Sequence, residues 1–313
     1  MRLYKYFDKP RYKKVINGHF VSKIMGIKEI YFKNLKKLII LPILLVISSL
    51  FIIGNQYYKT GDLFSKDVTL QGGISAALST ENEFPNLEKQ LELETNKDVT
   101  IRKLTEFGSD NQMGILIESS DIKNDELRSA LEKITNIKLT KENYSVQETG
   151  SSLGKLFYRQ MLISLIISFI LMSIVVVSIY RSVVPSIAVI SSAFSDMAVT
   201  IAVIDLIGLK ISTAGIAALL LLMGYSVDTD ILLSTRMIKR KEDPVEERIT
   251  KSIKTGLTMT ATTIAALFIG YFISNSFVIK EMFLILIIGL FVDIIMTYAL
   301  NTNLLLNYVN KNA

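Results

Sequence analysis

The chain carries six long apolar runs, at 38–54, 161–180, 184–208, 211–235, 255–274 and 282–306. Each is close to the roughly 20 residues that cross a hydrocarbon core. A segment in hydrocarbon must satisfy every backbone N–H and C=O internally, so runs of this kind can only be helices. Charged residues make up 20% of the chain, and they avoid these runs. They gather instead in 1–37, 59–159 and 236–254, which together with a mean hydropathy of +0.39 predicts a polytopic membrane protein. A soluble core helix ending at Val227, with Asp228 in a turn, is the alternative for the fourth run, but five similar runs stand against it.

Charge sets the expected orientation. Residues 1–37 hold eleven Lys/Arg against Asp8 and Glu29, a net of +9, which predicts a basic cytoplasmic arm. Tyr4, Phe7, Phe20, Ile24 and Ile30 within it would let the arm lie on anionic membrane lipid, the alternative being a solvated retention signal. Residues 55–160 are net −4, the sign of a segment outside the cell, whereas 236–255 are net +3 and predicted cytoplasmic, as is the tail 309–313. No basic patch interleaved with aromatics suggests nucleic acid. With no Cys and one His, disulfides, zinc clusters and His-activated nucleophiles have little to be built from, and no cofactor or metal is expected.

Between the first two spans the hydrophobic period alternates between two and about 3.6. Asp67–Ser79 reads as a strand interrupted at Gly72-Gly73. Phe84, Leu87 and Leu91 fall at helical spacing around Pro85-Asn86. Asp98–Phe107 and Gln112–Ser119 alternate as strands around Gly108-Ser109-Asp110-Asn111; Leu127, Leu131 and Ile134 mark a helix that Asn124 would cap; Asn143–Glu148 is a last strand. The order βαββαβ predicts an α+β ferredoxin-like domain at 55–160, outside the membrane. The remaining five spans form a membrane domain at 161–308.

Six acids lie in or beside those five spans: Asp196, Asp205, Asp228, Asp230, Glu281 and Asp293. Asp205 and Glu281 are near ends with a Lys close by, and read as interfacial residues without a special role. Asp196 shares a four-residue stripe with Ser192 and Thr200, and Asp293 shares one with Gly289 and Thr297, so both should turn inward. At about 100° per residue, Asp228 and Asp230 point some 200° apart. Asp230 lies in line with Ser226 and Ser234. Asp228 is backed by Gly224, where a neighbouring helix carrying Thr258, Thr260, Thr262 and Thr263 is expected. Several intramembrane carboxylates without a mid-membrane cation meet the physical requirement of a proton or cation relay; hydrogen-bonded structural acids are the alternative.

Gly224-Tyr225-Ser226-Val227-Asp228-Thr229-Asp230, followed by Ile-Leu-Leu-Ser-Thr-Arg236, resembles the SecF family, the smaller membrane subunit paired with SecD in the Sec protein-export machinery, in its archaeal form. Gly150-Ser-Ser-Leu-Gly154 resembles the stretch leading into that family's second span. The resemblance covers residues 35–308. It implies a six-span half of an RND-superfamily transporter, a SecD-like partner in a heteromer, the Sec channel complex, translocating preproteins as cargo, and proton flow through the motif acids. Bacterial relatives usually read Gly-Tyr-Ser-x-Asn-Asp-Thr, so their Asp falls at Thr229, and the role could pass to Asp228 or Asp230. Gly224, Tyr225, Ser226, Thr229, Arg236 and Gly154 are expected to serve the motif and helix packing, with Asp228, Asp230, Asp293 and Asp196 as relay candidates. Three other readings are a stand-alone RND-type solute or lipid exporter, a non-transporting scaffold of the channel, and an aspartyl protease using Asp230 and Asp293. The last lacks the Tyr-Asp and Gly-x-Gly-Asp contexts. The favoured reading is an accessory translocase subunit, not an enzyme.

Overall fold

A computed structural model describes residues 31–311, except 36, 106–111, 240–242 and 275. Most of the basic arm and the Gly108–Asn111 turn therefore lie outside the described residues. The chain runs α1 (Ile40–Thr60), α2 (Val68–Gln71), β1 (Gly73–Ser79), α3 (Leu87–Thr95), β2 (Thr100–Thr105), β3 (Gln112–Ser119), α4 (Asn124–Thr135) and β4 (Tyr144–Thr149). There follow α5 (Ser151–Tyr180), α6 (Val183–Leu206), α7 (Thr213–Lys239), α8 (Val245–Ile273), α9 (Phe277–Ile295), a π-helical turn (Met296–Asn301) and α10 (Thr302–Lys311).

Among the described residues six helical stretches are long and apolar enough to span a membrane, the last running through α9, the π-turn and α10 (Val278–Asn310). Their burial separates two layers. In α1 and α5 only 11% of the apolar stretch is buried, and in α8 17%; in α6, α7 and α9–α10 the shares are 61%, 56% and 67%. The first three are the outer helices and the last three the core, with α7 packed against α6, α8 and α9. Small residues permit the close crossings. A side chain on Gly289 would run into Leu222, and one on Gly256 into the Tyr298 hydroxyl.

The α+β domain has a four-stranded antiparallel sheet in the order β2-β3-β1-β4. Alternation on β1 turns Ile74, Ala76 and Leu78 inward, where they meet Leu87 and Leu91 of α3 and Leu127 and Leu131 of α4. This is the ferredoxin-like arrangement that the alternating periods predict. Three details differ. Val68–Gln71, read as part of the first strand, is a helical turn, because the Asp67 carboxylate caps it by accepting from Val68 N at 2.6 Å. Asn124 is the first helical residue of α4 rather than its cap, and its Oδ1 accepts from the Tyr144 hydroxyl at 3.1 Å. The loop read at 236–255 is mostly helix, since α7 runs to Lys239 and α8 starts at Val245.

The domain joins the bundle at several points. The second span was expected from 161, but α5 begins at Ser151, directly after β4. Its first turn lies on the Gln71-Gly72 backbone, so closely that a Cβ on Gly154 would fall 2.5 Å from Gly72 N. Gly72 itself has φ +89°, which only a glycine adopts without strain. A parallel bridge links Lys66 with Ile211, with Asp67 N donating to Ile211 O (3.0 Å) and Ile211 N to Ser65 O (2.8 Å). Near the chain's start, Tyr31 donates to the Tyr298 carbonyl at 2.7 Å, and Leu35 O accepts from Asn303 at 2.8 Å. The end of the basic arm therefore packs on the last span; it is not simply a solvated tether.

Candidate functional site

The middle of the core layer is polar. Asp196 of α6, Asp230 of α7 and Asp293 of α9 are each no more than 1% exposed, and among the described residues no ion pair reaches them. Desolvating a carboxylate at that depth is expensive, so the hydrogen bonds around it decide which charge state is tolerable. Thr229 Oγ1 lies 3.1 and 3.0 Å from the two oxygens of Asp293. Thr297 Oγ1 stands between two acids, 2.9 Å from Asp230 Oδ1 and 3.2 Å from Asp293 Oδ1. Asn301 Nδ2 donates to Asp230 Oδ1 at 2.7 Å. On the other side, Ser226 donates to Asp196 Oδ2.

A hydroxyl has one proton to give. Thr297 can donate to one of Asp230 and Asp293 while accepting from the other only if that other is protonated. The geometry therefore links the protonation of two acids through one side chain. Asp196 Oδ1 and Asp230 Oδ2 are buried without any hydrogen-bond partner in the protein. An orphaned carboxylate oxygen is a poor structural device, because it carries the desolvation cost with no return. Thr297 and Asn301 belong to the π-turn, a local widening of the helix frequently found at functional sites.

The expected site residues fall into two groups. Asp196, Asp230 and Asp293 come together, with Ser226 and Thr229 between them. Asp228 does not join them: it lies on the exposed face of α7, and its side chain makes no hydrogen bond or ion pair with a described residue. Gly224 and Tyr225 share that face, and a Cβ on Gly224 would meet nothing within 4 Å. The neighbour expected from the fifth span is absent there. Thr258, Thr262 and Thr263 return their hydroxyls to their own helix, and the side-chain partners of Asp230 come from the sixth span instead. Arg236 ties α7 to α8 by donating to Lys251 O at 2.6 Å, and Gly154 sits in the α5–α2 contact.

Two acids expected to be idle are engaged. Asp205 accepts from Ser65 N (3.2 Å) and Ser65 Oγ (2.7 Å), and Glu281 is 3% exposed and accepts from Ser212 N at 2.9 Å. Both fasten the α+β end of the bundle. Neither Lys210 nor Lys280 neutralises the acid nearest to it in sequence: Lys210 reaches Thr100, and Lys280 lies over the Tyr271 ring. Asn301 was missed, although it continues at four-residue spacing the stripe of Gly289, Asp293 and Thr297. Among the described residues no group of three His, Cys, Asp or Glu side chains has metal-holding geometry.

A six-span helical bundle with carboxylates at its centre and a ferredoxin-like domain between its first two spans defines the class: a polytopic α-helical membrane protein carrying an α+β domain. Residues 129–311 match the family model of the protein-export membrane protein SecD/SecF, C-terminal part. The chain is 36% identical over 277 residues to the protein-export membrane protein SecF of Pyrococcus furiosus, covering 88% of this chain and 92% of that one. It is 33% identical to the SecF of Methanocaldococcus jannaschii, covering 89% and 97%. Among solved structures it resembles SecDF, a translocon-associated membrane protein from Thermus thermophilus, with a TM-score of 0.70 at 19% identity, covering 90% of this chain but 38% of that chain. The chain belongs to the SecD/SecF family of protein-export membrane proteins, on its SecF side.

Proposed function

We propose that this chain is the SecF-type accessory subunit of a Sec translocase, working with a SecD-type partner to assist export of preproteins through the Sec channel, and that it draws on proton movement through Asp196, Asp230 and Asp293. The observation that carries the reading is a set of three buried acids from three helices, in which Thr297 links Asp230 to Asp293, Thr229 lies on Asp293 and Ser226 on Asp196, with no ion pair to them among the described residues. The names of the relatives, all protein-export membrane proteins, support the export role. The likeness covers 38% of the longer SecDF chain, and the larger part that it leaves supports a second component, supplied here by another subunit.

The partner is placed on the open face of α7, where Ala217, Leu221, Gly224, Tyr225 and Asp228 form one exposed stripe. A carboxylate left on that face in hydrocarbon would be costly, so the stripe calls for a polar or cationic group from the other subunit at Asp228. The charge bias supports a cytoplasmic location for the termini and for segment 236–255, with the α+β domain on the other side.

The test is export of a reporter preprotein in cells whose sole copy carries Asp230→Asn or Asp293→Asn, with recovery of the SecD-type partner checked in parallel. Export that falls at least tenfold while the complex persists supports the relay. Normal export in the double variant overturns it, and leaves a scaffold acting through the α+β domain.

A further inference from the structure

A second set of acids lies far from the membrane centre, where the α+β domain meets the bundle. Asp67, Glu118 of β3 and Glu281 of α9 line one crevice of about 220 Å³, together with Thr69, Ser75 and Ser212. They are 6%, 4% and 3% exposed. Asp67 and Glu281 are engaged in capping, on Val68 N and Ser212 N. Glu118 is different: its Oε2 is buried with no hydrogen-bond partner, and the nearest cation, Arg102 Nη2, is 3.6 Å away.

The charged groups facing Glu118 are Asp67, Arg102 and Lys210, and Asp67 and Arg102 also act on Glu281. Other ionisable neighbours are engaged elsewhere: Lys66 with Asp62, Asp205 with Ser65, and Lys280 with the Tyr271 ring. Three acids against two cations leave one negative charge uncompensated on side chains almost withdrawn from the surface. One added proton makes the cluster neutral.

We propose that the crevice is a proton-binding site, in which a single proton held by Glu118 beside Asp67 keeps the α+β domain docked on the membrane bundle, and loss of that proton loosens the docking. The cluster is placed to do this. Glu118 and Arg102 belong to the sheet and Glu281 to the bundle, while Asp67 and Lys210 sit at the junction, Asp67 making one of the inter-domain bonds with its own N–H and Lys210 lying next to Ile211. Those bonds are Asp67 N to Ile211 O, Ile211 N to Ser65 O, and Thr213 N to Thr69 Oγ1 at 3.2 Å. Burial, and then the Asp67 charge, push Glu118 up from 4.5 to about 7.

The sign follows. The docked state binds the proton more tightly than the undocked one, so docking has its full strength below about 4.5 and weakens as pH rises to about 7. It weakens by about tenfold per pH unit across that window, and is constant above it. The site uses none of Asp196, Asp230 or Asp293, so it stands or falls apart from the intramembrane relay.

The experiment is hydrogen exchange of the full chain, in complex with its partner subunit in lipid nanodiscs, following segments 65–70 and 209–214 after correction for intrinsic exchange. Between pH 5 and pH 7 the protection of both segments should fall by about fortyfold in the wild type, less than tenfold per unit because both ends of this range lie close to one of the two titration midpoints. In Glu118→Gln, which mimics the protonated acid, it should stay at the low-pH level throughout. Asp67→Asn retains the cap on α2 and removes the neighbouring charge, so there the fall should shrink and move to lower pH. Protection that ignores pH in the wild type overturns the proposal, as does the wild-type fall persisting unchanged in both variants.

Discussion

Replacing Thr297 by Val removes one oxygen and leaves the shape of the side chain, so it tests whether the link between two buried acids is chemical or structural. Thr297 is fully buried, and its hydroxyl is the one group within hydrogen-bonding distance of both Asp230 (2.9 Å) and Asp293 (3.2 Å). Neither acid loses its last partner. Asp230 Oδ1 keeps Asn301 at 2.7 Å, and Asp293 keeps Thr229 at 3.1 and 3.0 Å. The stability cost should therefore lie near the low end of the range for a buried hydrogen bond, about 1 kcal/mol rather than 3. Transport is different, because a proton passing between Asp293 and Asp230 has to use the hydroxyl. Raising the barrier of that step by about 1.4 kcal/mol or more slows it at least tenfold. The assay is export of a preprotein into inverted vesicles driven by an imposed proton gradient, beside thermal unfolding of the purified complex. Thr297→Val should unfold within a few degrees of the wild type yet export at a tenth of its rate or less, and Thr297→Ser should recover most of the loss. Export by Thr297→Val within about twofold of the wild type, a rate difference worth under half a kcal/mol, would refute the linked-acid reasoning.

Two further outcomes follow from the packing. Gly154→Val drives a branched side chain into the Gln71-Gly72 backbone, which has no flexible end to move away; a loss of about 1–3 kcal/mol is expected, seen as a lowered unfolding midpoint and easier proteolysis near 61–66. Asp228→Asn should leave the isolated chain's unfolding unchanged, since nothing described touches that side chain, but reduce recovery of the SecD-type partner in mild detergent. Unchanged recovery removes the α7 stripe as the subunit contact.

Much of this architecture follows from local patterns. Long uncharged runs have one solution in hydrocarbon, and the βαββαβ order follows from where the period of two gives way to 3.6. What the patterns conceal is long-range. Val68 and Leu70 alternate as a strand does, but a carboxylate one residue upstream caps them into a turn. The start of α5 at Ser151 rests on a backbone crossing 79 residues away in sequence, at Gly72. Within the site, the separation of Asp228 and Asp230 was legible from helical geometry, and so was the inward stripe of Asp293 and Thr297. Which of the two α7 acids meets that stripe is decided by the last span lying on the Asp230 side, a matter of packing. Asp205 and Glu281 illustrate the opposite error: a Lys nearby in sequence suggested neutralised interfacial acids, whereas the backbone N–H groups of Ser65 and Ser212 claim them.

The attachment of the α+β domain has a mechanical consequence. Two of its anchors are covalent, the link from α1 through 61–66 and the direct passage from β4 into α5, where Gly154 lies on Gly72. The third has no covalent continuity: it is the bridge to Ile211, two backbone hydrogen bonds flanked by the Thr213–Thr69, Lys210–Thr100 and Ser65–Asp205 hydrogen bonds. Three anchors fix a plane, and two define an axle. If the third lets go, the domain has one easy motion, a swing about the line through the first two, and the 209–213 link between α6 and α7 is the catch that sets when it starts. A force applied to the domain reaches α7, the helix that holds Asp230, through this catch.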